Sequence, residues 1–334
     1  MLENLLVAGG AGFMGANFVR YLLKQRNNYY ITIVDSLTYS GNLSNLTGID
    51  KSRYSFVHGN ILDNKLMDNL VKKTDIVINF AAETHNDNSI YSSSQFIQTN
   101  IVGTYNLIEA CRIHNKRYHH ISTDEVFGDI PLDSEKFFSE ISPYNPSSPY
   151  SSSKASSDLL VKAWIKTYGL KATISNSTNN YGCFQHVEKF IPRQITNLIR
   201  NSKPVLYGNG CNIRDWIHVD DHSSAILKII EDGTIGESYL IGGNNELSNF
   251  QVLQNLLYIF DKPVDFFENV PDRLGHDMRY SVDTSKLRKI LNWHPIRNDF
   301  QYELKKIVDW YIDNEKWWLS SKLASENKYK SRNL

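Results

Sequence analysis

Through the first half of the chain, short apolar and β-branched runs at residues 5–8, 30–34, 56–58, 76–80, 119–122 and 172–176 are separated by longer, mixed stretches. In two of these stretches, residues 16–24 and 99–113, apolar positions recur every three or four residues, the period of an amphipathic helix. Runs of strand length alternating with helical patterns predict βαβ units, hence a parallel sheet with helices on both faces. A Pro/Ser/Asn-rich stretch at 129–149 breaks the alternation. Inside a compact unit such a segment reads as a binding loop. Beyond about residue 182 the pattern is mixed, with strands expected at 205–207 and 238–241 and helices at 220–230 and 249–260. The organisation predicted is an α/β doubly wound domain over 1–181, to which 217–243 return, and a smaller mixed lobe over most of 182–334. Leu304, Ile307, Val308, Tyr311 and Ile312 fall on one face of a late helix and are expected to pack inward. The polar tail from about Ser320 is expected to fray.

Composition narrows the partners. Lysine plus arginine equals aspartate plus glutamate, 36 against 36, with the signs interspersed, so no basic stripe for nucleic acid or an acidic membrane surface exists. A small-molecule partner is expected. Cys111, Cys183 and Cys211 are widely spaced and form no CxxC pair or Cys/His cluster, which argues against a bound metal and for a reducing compartment. No run of about 18 apolar residues occurs, and no basic region precedes an apolar stretch at the N-terminus, so a cytoplasmic, membrane-free protein is expected.

Three motifs carry chemistry. Gly9-Gly10-Ala11-Gly12-Phe13-Met14-Gly15 follows the first strand and opens the first helix. Glycines at 9, 12 and 15 allow a tight turn, close approach of backbone to a pyrophosphate and close helix–strand packing, while the helix N-terminus offers free N–H groups. Asp35 ends the second strand about twenty residues past Gly15, where a carboxylate accepts from both ribose hydroxyls and repels a 2′-phosphate. This is a Rossmann-type dinucleotide site that favours NAD over NADP. Tyr150 and Lys154 share one face of the helix after the Pro/Ser loop, and an ammonium beside a phenol is expected to lower the phenol's pKa toward working pH. Thr123 ends a strand, where open α/β sheets place their ligands.

Glycine trio, terminal acid, strand-end hydroxyl and Tyr-x-x-x-Lys, in this order, resemble the extended short-chain dehydrogenase/reductases. Further segments narrow the resemblance: Asn79-Phe80-Ala81-Ala82-Glu83-Thr84-His85, Thr99-Asn100-Ile101-Val102-Gly103-Thr104, Ser122-Thr123-Asp124-Glu125-Val126-Phe127-Gly128, Asn179-Asn180-Tyr181-Gly182, Ile213-Arg214-Asp215-Trp216 and Arg273-Leu274-Gly275-His276-Asp277. In order, and over nearly the whole chain, these are similar to dTDP-glucose 4,6-dehydratases. The resemblance implies oxidation at C4 of a nucleotide-activated hexose, loss of water across C5–C6 and return of the hydride to C6, with NAD tightly bound and recycled. It implies Tyr150, Lys154 and Thr123 for the oxidation, Glu125 as the base at C5 and Asp124 as the acid at the C6 hydroxyl. It adds Phe13, Met14, Thr38, Asn60, Ile61, Ala81, Ala82, Thr99 and Asn180 to the cofactor set. For the nucleotide sugar it implies His85, Thr123, Asn180, Glu188, Lys189, Arg214, Asn245, Arg273 and His276. It also implies a homodimer formed through helices at about 100–113 and 150–166.

The chain departs from that pattern at Asn88 and Met278, where arginine is usual, at Asn60 for aspartate, at Phe127 for tyrosine and at Ala8 for threonine. Two cations are thereby absent from the expected sites. Alternative readings remain: the same chemistry on UDP-glucose or UDP-N-acetylglucosamine, a C4 epimerase, or a non-catalytic NAD-binding regulator. An epimerase has no need of Asp124 and Glu125 positioned for elimination, and a mere binder has no need of the full Thr/Asp/Glu/Tyr/Lys set.

Overall fold

The apolar runs of the first half form six strands, β1 (Glu3–Ala8), β2 (Tyr29–Asp35), β3 (Tyr54–His58), β4 (Ile76–Asn79), β5 (Arg117–Thr123) and β6 (Ala172–Ser177). Five more follow in the second half, β7 (Asn179–Tyr181), β8 (Val205–Tyr207), β9 (Ile213–His218), β10 (Ser238–Ile241) and β11 (Glu246–Ser248), and β12 (Glu268–Val270) is the last. The computed structural model describes residues 2–272 and 275–331. β10 returns to the first sheet, whose order is β10-β6-β5-β4-β1-β2-β3 with every pairing parallel. This is the Rossmann-type α/β fold, and its order reverses between β1 and β4, where ligands of open parallel sheets sit.

Burial on both faces explains the near-continuous apolar strands. Leu5 and Val7 pack in one core with α1 (Phe13–Gln25), while Leu6 and Ala8 pack in another with α2 (Asn64–Lys72). Two short helices, α3 (Asn86–Tyr91) and α4 (Ser93–Phe96), precede a helix that the 99–113 periodicity foretold as regular. It opens instead with a π-helical turn, Ile97–Gly103, before α5 (Thr104–Ile113). The wide turn sets Asn100 to donate to Glu83 O (3.0 Å) and Ser153 Oγ (2.8 Å), tying it to the helix that bears Tyr150. That helix, α6 (Pro149–Tyr168), begins with a capping box from Ser148 and Ser151, has Pro149 in its first turn and ends at Gly169 in the left-handed region.

The second lobe packs α7 (Phe190–Ile199), α9 (Asn249–Ile259) and α11 (Phe300–Asp313) around Trp216, while α8 (Val219–Asp232) and α10 (Ser285–Leu291) join the core that holds α1. On α11 the expected stripe is buried except at Ile312, which is 50% exposed. The tail expected to fray forms α12 (Glu315–Ser331). Trp318 is fully buried and its indole donates to Tyr311 O at 2.7 Å. Lys322, also buried, donates to Asn197 Oδ1 at 2.5 Å and to Glu326 at 2.6 Å. Few apolar anchors and polar groups paired on burial make this helix look like a solvated tail when only hydropathy is read. No helix among the described residues is long and apolar enough to cross a membrane.

The two disputed positions give opposite expectations. Trp318→Ala is expected to lower unfolding free energy by about 3–5 kcal/mol in urea titration, and Ile312→Ala to change it by no more than about 0.5 kcal/mol.

Candidate active site

The glycine loop joins β1 to α1, and each glycine meets a different constraint. Gly9 has φ +76°, and a Cβ there would lie 2.6 Å from Ala81 N; a Cβ on Gly15 would lie 2.3 Å from Gly9 O. On Gly12 a Cβ would meet only Gly9 O, at 3.3 Å, so space in front of this residue is open. Gly12 caps α1 without any side-chain hydrogen bond. Free N–H groups therefore face a cradle that a side chain would fill, the geometry of a phosphate site. Across the loop, Asp35 accepts from Ala11 N (2.9 Å) and Leu37 N (2.8 Å).

From Asp35 a cleft of about 1610 Å³, taken out to its open mouth, runs along the strand ends to Tyr150 and Lys154. Gly9, Gly12, Phe13, Met14, Gly15, Thr38, Asn60, Ile61, Ala81, Ala82, Thr99 and Asn180 all line it. Asn60 Oδ1 accepts from Leu62 N at 2.9 Å, which leaves one lone pair for a ligand amine. Asp124 Oδ2, Asn180 Oδ1 and Gln185 Oε1 are buried on its walls without a protein partner. Buried polar atoms are almost always satisfied, so orphans that converge on a cleft mark the places of ligand atoms. Phosphate cradle, ribose-facing carboxylate and unpaired amide oxygen fit a dinucleotide with a nicotinamide end.

At the inner end, β5 delivers Thr123, and the following turn delivers Asp124 and Glu125. Both carboxyls are pushed above their usual range by burial. For Asp124 the rise is large and Glu125's charge adds to it; for Glu125, a hydrogen bond from Asn86 and the charges of Arg214 and Lys189 oppose it. Asn86 Nδ2 donates to Glu125 Oε2 at 3.0 Å. The neighbours thus hold two adjacent acids apart, one favoured as acid and the other as base.

The Tyr150–Lys154 pair differs from expectation. Lys154 Nζ donates to Ile121 O (2.8 Å) and lies 3.4 Å from His120 Nε2, which is itself 3.3 Å from Asp158 Oδ1. Burial lowers Lys154 to about 8, opposed by Asp158. Tyr150 is held well above its ordinary value, chiefly by burial and the Glu125 charge, with the Thr123 hydroxyl pulling the other way. In the chain alone the ammonium donates to the Ile121 carbonyl, and burial sets the phenol's proton affinity, with the Glu125 charge adding to it. A cationic ring in the cleft would favour the phenolate.

A second cleft, about 1110 Å³ to its mouth, meets the first at Thr84, Glu125, Asn179, Glu188 and Lys189 and is also lined by His85, Arg214 and His276. Arg214 stacks 4.3 Å from the Tyr280 ring centre and donates to Asp277 O at 2.8 Å. Lys189 donates to Thr84 O at 2.8 Å, and His276 Nδ1 lies 2.7 Å from Asp272. Asn245 lines neither cleft: Asp215 accepts from Asn245 N (2.7 Å) and Gly243 N (2.9 Å) and pins that loop away, and Asn249 lines the wall instead. Arg273 lies outside the described residues. The departures have local accounts in part. Phe127 is buried against Phe138 and Tyr144, Met278 gives its carbonyl to Arg214, and Asn88 bonds Tyr39. Asn86, His120, Asp158 and Tyr329 escaped the sequence reading. Only Asp158 carried a signal, its place four residues after Lys154 on one helical face.

Fold and site together define an extended short-chain dehydrogenase/reductase with a nucleotide-sugar cleft. A family model described as GDP-mannose 4,6 dehydratase matches residues 6–306. The chain is 52% identical to dTDP-glucose 4,6-dehydratase of Mycolicibacterium smegmatis over 98% of this chain and 99% of that one. It is 42% identical to the Escherichia coli enzyme of the same name, over 94% and 95%. Among solved structures it superposes on DesIV, a dTDP-glucose 4,6-dehydratase from Streptomyces venezuelae with NAD and dTDP bound, at TM-score 0.92 and 41% identity, covering 96% of this chain and 100% of that one. The chain belongs to the dTDP-glucose 4,6-dehydratase family.

Removing the Asp35 charge removes its repulsion of a 2′-phosphate. Asp35→Ser is expected to narrow the preference for NAD over NADP by about tenfold, measured by fluorescence titration of each cofactor.

Proposed function

We propose that this protein is an NAD-dependent dehydratase that converts dTDP-glucose to dTDP-4-keto-6-deoxyglucose. The observation that carries the reading is the adjacent pair of buried Asp124 and half-buried Glu125 beside Tyr150 and Lys154, with Glu125 at the seam of the two clefts. Bound NAD supplies the two-electron acceptor for C4 and gives the same pair of electrons back at C6. Tyr150 takes the proton of the C4 hydroxyl at Oη, and Thr123 orients the same oxygen. The C4 ketone acidifies C5–H, and Glu125 takes that proton at its carboxylate. Asp124, held protonated by burial and its charged neighbour, donates to the C6 oxygen, which leaves as water. A proton restored at C5 completes the product. His85, Glu188, Lys189, Arg214 and His276 wall the cleft for the sugar and its diphosphate, with Arg214 matched to phosphate oxygens.

The active protein is a homodimer, with the second copy covering the outer face of α5 and α6. Val102, Tyr105, Ile113, Leu159 and Tyr168 are exposed on these helices and the turn that precedes them, a concentration of apolar surface that a monomer leaves in water at a cost. The three free cysteines suit a reducing, cytoplasmic setting.

Incubation with dTDP-glucose, UDP-glucose and UDP-N-acetylglucosamine, with products read by mass, tests the activity. Loss of one water from dTDP-glucose without net reduced cofactor is expected; an unchanged mass with a C4-epimer product, or no turnover of any of the three, overturns the reading. Glu125→Gln is expected to slow exchange of the C5 hydrogen with solvent by about a hundredfold or more while changing NAD affinity less than threefold. Leu159→Glu is expected to halve the mass seen by light scattering.

A further inference from the structure

Asn86, which the sequence did not single out, touches two parts of the machinery at once. Its amide nitrogen donates to Glu125 Oε2 at 3.0 Å, and its amide oxygen accepts from Ser148 Oγ at 3.1 Å. Ser148 is the N-cap of α6, the helix that carries Tyr150 and Lys154. A single side chain therefore links the carboxylate read as the C5 base to the start of the helix read as carrying out C4 oxidation.

What holds Asn86 is the residue before it. His85 caps α3, its Nδ1 accepting from Asn88 N at 3.4 Å. Its Nε2 lies 3.1 Å from the Tyr329 hydroxyl, which also lies 3.1 Å from Glu188 O. The phenol has one proton and the carbonyl can only accept, so Tyr329 donates to Glu188 and accepts from His85 Nε2–H. Nδ1 is then the acceptor that the α3 cap requires. Tyr329 in turn lies under the Arg193 guanidinium, 3.6 Å from its ring centre, and Arg193 is paired with Glu326 on the same helix, α12.

We propose that Asn86 is a positioning residue that fixes the Glu125 carboxylate against the N-cap of α6, and that the C-terminal helix, through Tyr329 and His85, holds Asn86 in place. The inference rests on the dehydratase reading for its effect on turnover, though not for its effect on Glu125 itself. Other groups facing Glu125 act in both directions. Arg214 of β9 and Lys189 at the start of α7 favour its charge, Asp277 opposes it, and the Asp124 carboxyl and the phenols of Tyr150 and Tyr280 respond to it. Asn86 is uncharged and donates directly to the carboxylate. A donor to the charged form of an acid lowers its pKa, so loss of Asn86 raises that of Glu125. A base with a raised pKa is protonated, and inactive, up to a higher pH.

The test follows the Glu125 carboxyl in the NAD-loaded full chain by carbon-13 NMR with labelled glutamate, assigned by Glu125→Gln. Asn86→Ala is expected to raise the Glu125 midpoint by about one pH unit, to raise the acid limb of kcat for dTDP-glucose equally and to change KM less than threefold. Tyr329→Phe is expected to move both in the same direction by a smaller amount, and adding it to Asn86→Ala is expected to move them no further. An unmoved midpoint in Asn86→Ala overturns the positioning role, and a raised KM with an unmoved midpoint makes Asn86 a substrate contact instead. Additive shifts in the double variant overturn the part given to Tyr329. Should the unaltered protein fail to turn over any nucleotide sugar, the dehydratase reading falls while the NMR midpoints still decide this one.

Discussion

Two neighbouring carboxyl groups at the end of β5, Asp124 buried and Glu125 half-buried, are the constraint around which the rest of the site is arranged. Unit charges of one sign a few ångströms apart in a protein interior repel by on the order of 3 kcal/mol, and burial adds a desolvation cost for each. The pair can persist only if one member gives up its charge and the other is compensated. Asp124 is enclosed, with Oδ2 unpartnered, and burial pushes its pKa well above the usual carboxylate range. Glu125 faces the seam, where α3 supplies an amide, β9 a guanidinium and the start of α7 an ammonium. The contrast between the two carboxyls is therefore a property of three elements that converge on the strand end, more than of the two acids themselves.

The same economy governs the oxidising half. Lys154 is buried on a helix that also carries Asp158, and its ammonium is committed to Ile121 O beside His120. Read from sequence, Tyr150 and Lys154 were a simple pair in which the cation lowers the phenol's pKa. In the fold, burial, with the Glu125 charge adding to it, holds the Tyr150 phenol well above its ordinary value, and the Thr123 hydroxyl pulls the other way.

Legibility from sequence followed the range of each interaction. Six strands and the Gly9–Gly15 loop were legible because burial on both faces and backbone–phosphate approach impose local, periodic signatures. Tyr150 with Lys154 was legible from helical spacing, and the Thr123–Glu125 run through its neighbours. Asn86 was not, because its partners lie 39 and 62 positions away and nothing in the segment 85–89 marks the contact. Asn245 was assigned to the cleft by resemblance, yet Asp215 pins its loop elsewhere. The tail was misjudged because Lys322 and Arg193 are buried by pairing with the half-buried Glu326, which hydropathy counts as exposure.

That misjudged tail changes how the two lobes relate. α12 packs with the second lobe through Trp318 but ends against His85, a residue that follows the β4 strand end of the parallel sheet. The second cleft therefore lies between the lobes and under the last described turn of α12, with Tyr329 on its wall. Buried pairs such as Arg193–Glu326 contribute little net stability, since desolvation consumes most of their attraction. Their effect here is directional: the guanidinium packs on the Tyr329 ring, whose hydroxyl meets Glu188 O and His85 Nε2, and His85 directly precedes the Asn86 that donates to Glu125. Polar burial at the C-terminus thus trades stability for the orientation of a carboxylate.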